Sequence, residues 1–241
     1  MTWTRRARPA LGTLVEVGVA SRVARACRST DDANAIVIAI AFAAAFARIA
    51  AAEAQLSRFD PASPIHRFNA AAPGTRLDIG SDATCVLTAA RELNDASAGT
   101  FDITLGSGPR GWHCEGGTLL KTRAGTTLDL GGIGKGHAVD CAVTVLRAAG
   151  VEAGWVNAGG DLRVFGDVTL PVHLRDESGG GVRRFADLHG GAFATSRLPA
   201  GHASVAAEEC LWADALTKLV VASGNARHPL LERYAAVAWL H

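Results

Sequence analysis

The sequence predicts an α+β fold in which mixed or antiparallel sheets pack on a long alanine-rich helix. Three observations lead there. An apolar, alanine-dense run occupies the first quarter, with Asp31 or Asp32 placed to cap it and Leu56 near its end. From residue 162 onward the pattern changes to short alternating segments separated by glycine clusters, which is how hairpins read. Between these regions the strand and helix signals do not alternate regularly, so a doubly wound parallel sheet is not expected.

Taken in order, residues 14–19 alternate like a strand, and the helix over 31–56 follows. Residues 57–69 hold Pro61 and Pro64 and read as a loop with a short helical turn. Ser81 opens a second helix through Asn94, stopped by the turn Ser97-Ala-Gly-Thr100. Residues 126–130 look like a strand, 136–149 like a helix stopped by Gly150, and 155–157 like a returning strand, making one β-loop-α-β unit. Strands are then expected over 162–165, 169–174, 184–188, 192–195 and 203–206, with turns at Gly179-Gly-Gly181 and Gly190-Gly191. A helix over 213–223 and a strand over 234–240 close the chain.

At 241 residues, 49% of them hydrophobic and 20% charged, the chain can bury a sizeable core. A single domain over residues 1–241 is expected, with room for a cleft between two subdomains. The formal net charge of +1 provides no global field for nucleic acid or an anionic membrane, so an anion site has to be local. Five cysteines without a C-x-x-C pair argue against a disulfide framework or a thiolate zinc site. The first ten residues run from three arginines straight into a strand pattern, so no export signal is read and a cytoplasmic location is expected. The apolar run from Ala33 to Ala47 is interrupted by Arg48 and Glu53 and falls short of the roughly 20 residues a bilayer needs, so stable membrane insertion is not expected.

Two glycine-rich turns carry the chemistry. Gly131-Gly-Ile-Gly-Lys-Gly136 joins a strand-like segment to a helix, with Asp129 and Asp140 on either side, and Asn157-Ala-Gly-Gly-Asp161 begins seventeen positions after Asp140. The first has neither P-loop nor dinucleotide-fingerprint spacing. It is read either as a tight connection or as amides and Lys135 facing a polyphosphate, and Asp140 either as a ligand-facing acid or as an inward hydrogen-bond acceptor. The second turn is either a bulge or a close approach of backbone to a ligand. Asp102 alone reads as a turn cap. Asp214, flanked by apolar residues on a helix, needs a partner: either Lys218 four residues on or a cation shared with Thr217.

In chain order, Leu11-Gly-Thr13, Leu56-Ser-Arg-Phe59 with Asn69, Gly99-Thr-Phe-Asp-Ile-Thr104, Leu128-Asp-Leu-Gly-Gly-Ile-Gly-Lys-Gly136 with Ala138-Val-Asp140, Asn157-Ala-Gly-Gly-Asp161, Ala194-Thr-Ser196 and Ala213-Asp-Ala-Leu-Thr217 resemble the successive signatures of the FAD:protein FMN transferase family, also called the ApbE family. The resemblance spans nearly the whole chain. It implies that FAD binds in a cleft and that, with Mg²⁺, FMN moves from it onto a threonine or serine of an acceptor protein bearing a flavinylation motif, releasing AMP. It places Leu11, Phe59, Thr100, Phe101, Asp102, Asp129 and Lys135 along FAD, with Phe59 and Phe101 flanking its rings. It places the Gly132 carbonyl, Asp214 and Thr217 at Mg²⁺. Asp214 and His202 are the implied catalytic groups, and Asn157 to Asp161 with Thr195-Ser196 would shape the same cleft.

Departures from the family pattern are expected to matter. Leu11 stands where methionine is common, Phe59 where tyrosine is frequent, and Arg197 where glycine often follows Thr-Ser. Lys218 replaces a threonine, with an ammonium that either competes with the metal at Asp214 or stands in for its charge. Between Ser196 and Ser204 the family usually carries a His-Ile-Ile-Asp-Pro-x-Thr-Gly segment; here there is only Arg197-Leu-Pro-Ala-Gly-His202. General acid-base help contributes roughly 10² to 10⁴ in rate, so a member that binds or hydrolyses FAD without transferring FMN is the alternative reading.

Overall fold

The computed structural model describes residues 2–21, 28–175 and 179–241. The elements run β1 (Thr2–Ala10), β2 (Thr13–Ser21), α1 (Arg28–Leu56), α2 (Pro64–Ala70), β3 (Arg76–Asp78), α3 (Ser81–Ala96), β4 (Trp112–Glu115), β5 (Thr118–Lys121), α4 (Gly134–Ala148), β6 (Gly154–Ala158), β7 (Asp161–Phe165), β8 (Leu170–Arg175), β9 (Val182–Leu188), β10 (Gly191–Leu198), β11 (Gly201–Ala207), α5 (Cys210–Ser223), α6 (Leu230–Arg233) and β12 (Val237–Leu240). Seven strands form one sheet in the order β1-β2-β6-β7-β10-β11-β12, with antiparallel neighbours throughout. Two smaller antiparallel sheets, β3-β5-β4 and β8-β9, stand beside it. The fold is α+β, as expected.

Alternation along the strands assigns the faces of the large sheet. Val15, Val17, Val156, Ala158, Ala192 and Ala194 face the helices, where Phe42, Ile49, Val139, Val143, Leu146 and Ala213 complete one core. Trp155, Leu162, Val164 and Phe193 face the other way and are covered by Val172 and Leu174 of β8. A third core gathers α2, α3 and the three-stranded sheet around Phe68, Leu87, Leu93, Phe101, Leu119 and Leu216.

Several expectations change on contact with the fold. The strand expected over 126–130 does not form: among the described residues this segment pairs with no strand. The side chain of Asn69 supplies the missing ladder partner, its Nδ2 donating to the Leu128 carbonyl at 3.0 Å and its Oδ1 accepting from the Leu128 amide at 2.7 Å. Accordingly the β-loop-α-β unit does not form, because β6 pairs antiparallel with β2 and β7. Helix α1 begins at Arg28, three residues ahead of Asp31, so neither aspartate is its cap. Its apolar stretch is longer than the sequence suggested: Ala35–Leu56 is by length and composition sufficient to cross a membrane. Its C-terminal part packs into the cores, with Ala41, Phe42, Ala45, Phe46, Ile49, Ala52 and Leu56 buried, while Ile36, Val37 and Ile40 are exposed. Cys27 lies outside the described residues, and the other four cysteines are free thiols.

Asp140 proves to be an inward hydrogen-bond acceptor. It accepts from the amides of Cys210 (2.9 Å) and Leu211 (2.8 Å) and pairs with Arg163 at 2.6 Å. It therefore caps α5, whose own cap residue Glu209 makes no side-chain cap bond. That contact fixes α5 against α4, and so fixes Asp214.

Candidate functional site

Three loops meet at a cleft beside the start of α4. The β1–β2 hairpin turns on Leu11 and Gly12, both left-handed (φ 56° and 70°), as a two-residue turn with this twist requires. Leucine is costly in that conformation, and it brings Leu11 to the cleft wall. The segment after α1 contributes Ser57, Arg58 and Phe59, and the segment before α4 contributes Asp129, Leu130 and Gly131. Gly134 and Lys135 form the floor. The cleft holds about 150 Å³ and continues past Arg58, Phe59 and Asp129 into a groove of about 310 Å³ lined by Asn69, Thr104, Leu105 and Thr127.

Its walls combine apolar surface with two cations. Phe59 is 78% exposed. The Arg58 guanidinium lies 4.6 Å from its ring centroid and 3.3 Å from Asp129 Oδ2. The other oxygen of Asp129 accepts from the Gly131 amide at 2.8 Å. A solvent-facing aromatic ring beside a cation suits a ligand with both a flat ring system and negative charge.

Behind the floor lies a buried four-charge cluster. Lys135 Nζ donates to Asp161 Oδ2 and stands 3.9 Å from Asp214 Oδ2. Lys218 Nζ donates to Asp214 Oδ1 and to the Asp214 carbonyl at 3.1 Å. The amide of Gly136 donates to Asp214 Oδ2 at 3.2 Å. Asp161 is 1% exposed and Asp214 fully buried, whereas the Lys135 side chain is 30% exposed and reaches the cleft. Burial works against charge on Lys135, but Asp214 and Asp161 outweigh it and hold the ammonium above its ordinary range. Asp161 bears the cost: burial first, then the Asp214 charge, pushes its carboxyl up to about 6 despite Lys135.

The residues singled out in the sequence divide accordingly. Leu11, Phe59, Asp129 and Lys135 come together on the cleft. Asp102 organises the neighbouring loop, accepting from the Thr104 amide and hydroxyl at 2.8 Å each and from the Gly106 amide at 3.0 Å. Thr100 is exposed on the turn before it. Phe101 is 4% exposed and belongs to the core. Asp214 sits behind the cleft as a positioning residue. His202 lines neither part of the groove; its ring centroid is 4.6 Å from that of His241. Strands β10 and β11 are closed by only two residues, Pro199 and Ala200, with Leu198 paired to Gly201.

The three residues assigned to Mg²⁺ surround a lysine. A methyl group on Gly132 would lie 3.4 Å from Lys218 Cε, and the same side chain ends on Asp214. The Thr217 hydroxyl is 2.7 Å from both Ser196 Oγ and the Asp214 carbonyl. Both oxygens of Asp214 are engaged, and two carboxylates already balance two ammonium groups. The donor set as it stands does not fit a divalent cation, which needs free oxygen ligands. Arg58 is a site residue that sequence reasoning left without a role, and Asp161 was placed at the cleft only as the end of the turn Asn157 to Asp161, not as the partner of Lys135. Each lies within a quoted motif, and a buried acid at a hairpin end was the available signal for Asp161.

Among proteins of curated function, none matches the sequence. Three solved structures share the fold: the ApbE protein of Thermotoga maritima (TM-score 0.78, 19% identity, covering 99% of this chain and 94% of that one), the flavin transferase ApbE of Vibrio cholerae (0.80, 18%, 99% and 93%) and the flavinyl transferase ApbE of Pseudomonas stutzeri (0.77, 18%, 99% and 90%). The model of the ApbE family matches residues 11–118 and 108–197. Those segments cover the hairpin turn, the cleft residues, Lys135 and Asp161, and end within strand β10, ahead of Asp214 and Lys218; the chain belongs to the ApbE family.

Proposed function

We propose that this chain binds FAD in the cleft and transfers its FMN half to a threonine or serine hydroxyl of an acceptor protein. The observation that carries this reading is the pairing of Arg58 and Lys135 with the exposed Phe59 ring along one groove in an ApbE-family chain. Flavin transferases of Vibrio cholerae and Pseudomonas stutzeri share the fold, which adds support. In the proposed reaction the acceptor Oγ bonds to the FMN phosphorus as the bond to the AMP phosphate breaks. AMP leaves with the electron pair, and the hydroxyl proton passes to solvent. Lys135 and Arg58 hold the diphosphate and offset the charge that builds on its oxygens. Asp161 and Asp214 keep Lys135 charged and aimed.

In this proposal the charge that magnesium supplies in the family comes instead from Lys135, backed by Lys218. Transfer is therefore expected to persist in EDTA. Replacing Lys218 by threonine frees Asp214 Oδ1 and creates an oxygen site. The K218T variant should lose transfer in EDTA and regain it with Mg²⁺, a difference of roughly tenfold or more in initial rate. Equal rates with and without the metal in both proteins would contradict this role for Lys218.

The two-residue closure of β10–β11 favours a second reading, since it leaves no loop to bring a proton acceptor to the groove. In that reading FAD is bound or hydrolysed only. Incubation with FAD and an acceptor bearing a flavinylation motif distinguishes them. Transfer gives a fluorescent acceptor band that survives denaturation, with one AMP per band. AMP with free FMN and an unlabelled acceptor would establish hydrolysis.

A further inference from the structure

A second polar cluster lies away from the cleft, buried between α1, α3 and α4. His137 and Cys141 are one turn apart on the same face of α4 and point at Asp82 in the first turn of α3. His137 Nε2 is 2.8 Å from Asp82 Oδ1, Cys141 Sγ is 3.4 Å from the same nitrogen, and Sγ lies 3.8 Å from Oδ1. Asp82 and His137 are almost completely buried.

The two sulfur spacings lie near those of a tetrahedral centre, and the 2.8 Å between Nε2 and Oδ1 has to open by about 0.5 Å to admit an ion. With metal–nitrogen and metal–oxygen bonds of about 2.0 Å and a metal–sulfur bond of about 2.3 Å, neighbouring ligand atoms stand roughly 3.3 to 3.6 Å apart. Both Sγ and Oδ1 face one ring nitrogen, which offers a single proton or a single lone pair. We infer that Asp82, His137 and Cys141 form a binding site for a zinc-class divalent transition metal, separate from the flavin cleft.

Arg48 is the gate. Its Nη1 donates to Asp82 Oδ2 at 2.9 Å, and its Nη2 contacts Oδ1 at 2.5 Å and Cys141 Sγ at 3.0 Å. Its side chain is 29% exposed. It can retain Oδ2 and release the other two atoms, opening a path from solvent and a fourth position for water. Gln55 steadies the acid, donating to Oδ2 at 3.2 Å and accepting from the Asp82 amide at 3.1 Å. As the metal–sulfur bond forms, the Cys141 thiol proton leaves to solvent. Burial pushes that thiol up to about 12, so the metal has to displace its proton.

The test is a Co²⁺ titration of the full chain carrying Cys85→Ser, which removes the exposed thiol. The expected result is one equivalent bound, with a thiolate-to-cobalt absorption in the near ultraviolet and intense visible bands of a tetrahedral ion. Adding Cys141→Ser should remove the ultraviolet band, and Arg48→Met should tighten binding about tenfold by removing the competing cation. Should the Cys141 variant fail to fold, His137→Gln should weaken binding roughly 100-fold. Absence of the ultraviolet band in the Cys85→Ser protein, its persistence after Cys141→Ser, or weaker binding in the Arg48 variant would overturn the assignment. None of these readouts involves flavin, so failure here leaves the transferase reading standing.

Discussion

Replacing Lys135 by methionine is expected to weaken FAD binding roughly 10- to 100-fold and to destabilise the fold by about 3–5 kcal/mol. The two effects share one cause. Lys135 reaches the groove while partnering Asp161, which is 1% exposed, and standing 3.9 Å from the fully buried Asp214. Lys218 still serves Asp214 in the variant, but Asp161 loses its hydrogen-bonded cation. A buried acid without a partner protonates in the folded state. Burial and the Asp214 charge already push the Asp161 carboxyl up to about 6, and it rises further without the lysine. A carboxyl raised in the folded state contributes most below its unfolded pKa and loses that contribution as pH rises through the folded one. The stability deficit of the Lys135→Met protein should therefore shrink on acidification from pH 8 to pH 5. Urea midpoints at the two pH values measure it, and an equal deficit at both would remove Asp161 from the explanation.

The Gly136→Ala variant should be destabilised by about 3 kcal/mol or more. Intrinsic helix propensity argues the other way, since alanine exceeds glycine by about 1 kcal/mol in a helix interior. At this position, however, a methyl group would lie 2.2 Å from the Cys210 carbonyl oxygen and 2.8 Å from the Leu211 Cα. Both atoms are backbone, so only a displacement of α5 relieves the clash. That displacement would also disturb the Asp140 cap on Cys210 and Leu211 and the bond from the Gly136 amide to Asp214. A thermal unfolding curve decides the sign: a variant as stable as the parent would mean that α4 and α5 do not meet here.

Gly136 also shows where sequence reading reached its limit. The glycine-rich turn was legible as a place where backbone must come close to something. What comes close is α5, and the turn's amides are largely committed, Gly131 to Asp129 and Gly136 to Asp214. Among the strands after residue 161, β8 was the most legible, because Val172 and Leu174 are buried while Pro171, His173 and Arg175 are exposed and the period of two survives in the letters. Strand β1 was not, because arginines take the place of apolar residues. Arg6 and Arg8 lay their guanidinium groups 5.8 Å and 4.9 Å from the ring centroids of Phe42 and Phe46 on α1. Strands β4 and β5 carried a readable signal in Gly116-Gly117, both with positive φ between paired Glu115 and Thr118, but each is only four residues long.

For the site, the motif order brought Leu11, Phe59, Asp129 and Lys135 to one groove across 125 residues of chain. The sequence could not show which way each side chain turns. Phe59 faces solvent, whereas Phe101 fills the core beside α3, because the Asn94 side chain and the Ser97 hydroxyl pin its backbone at 2.7 Å and 3.0 Å. The i to i+4 spacing of Asp214 and Lys218 left both a metal and an ion pair open; the ion pair forms.

The central claim is that this groove holds a flavin dinucleotide through its diphosphate without help from a divalent cation. Calorimetric titration of the chain with FAD and, separately, with riboflavin, both in EDTA, tests it most directly. The account predicts one FAD site and riboflavin binding at least about 100-fold weaker, since riboflavin offers Lys135 and Arg58 no charge. No heat with FAD, or equal affinity for the two ligands, would contradict it.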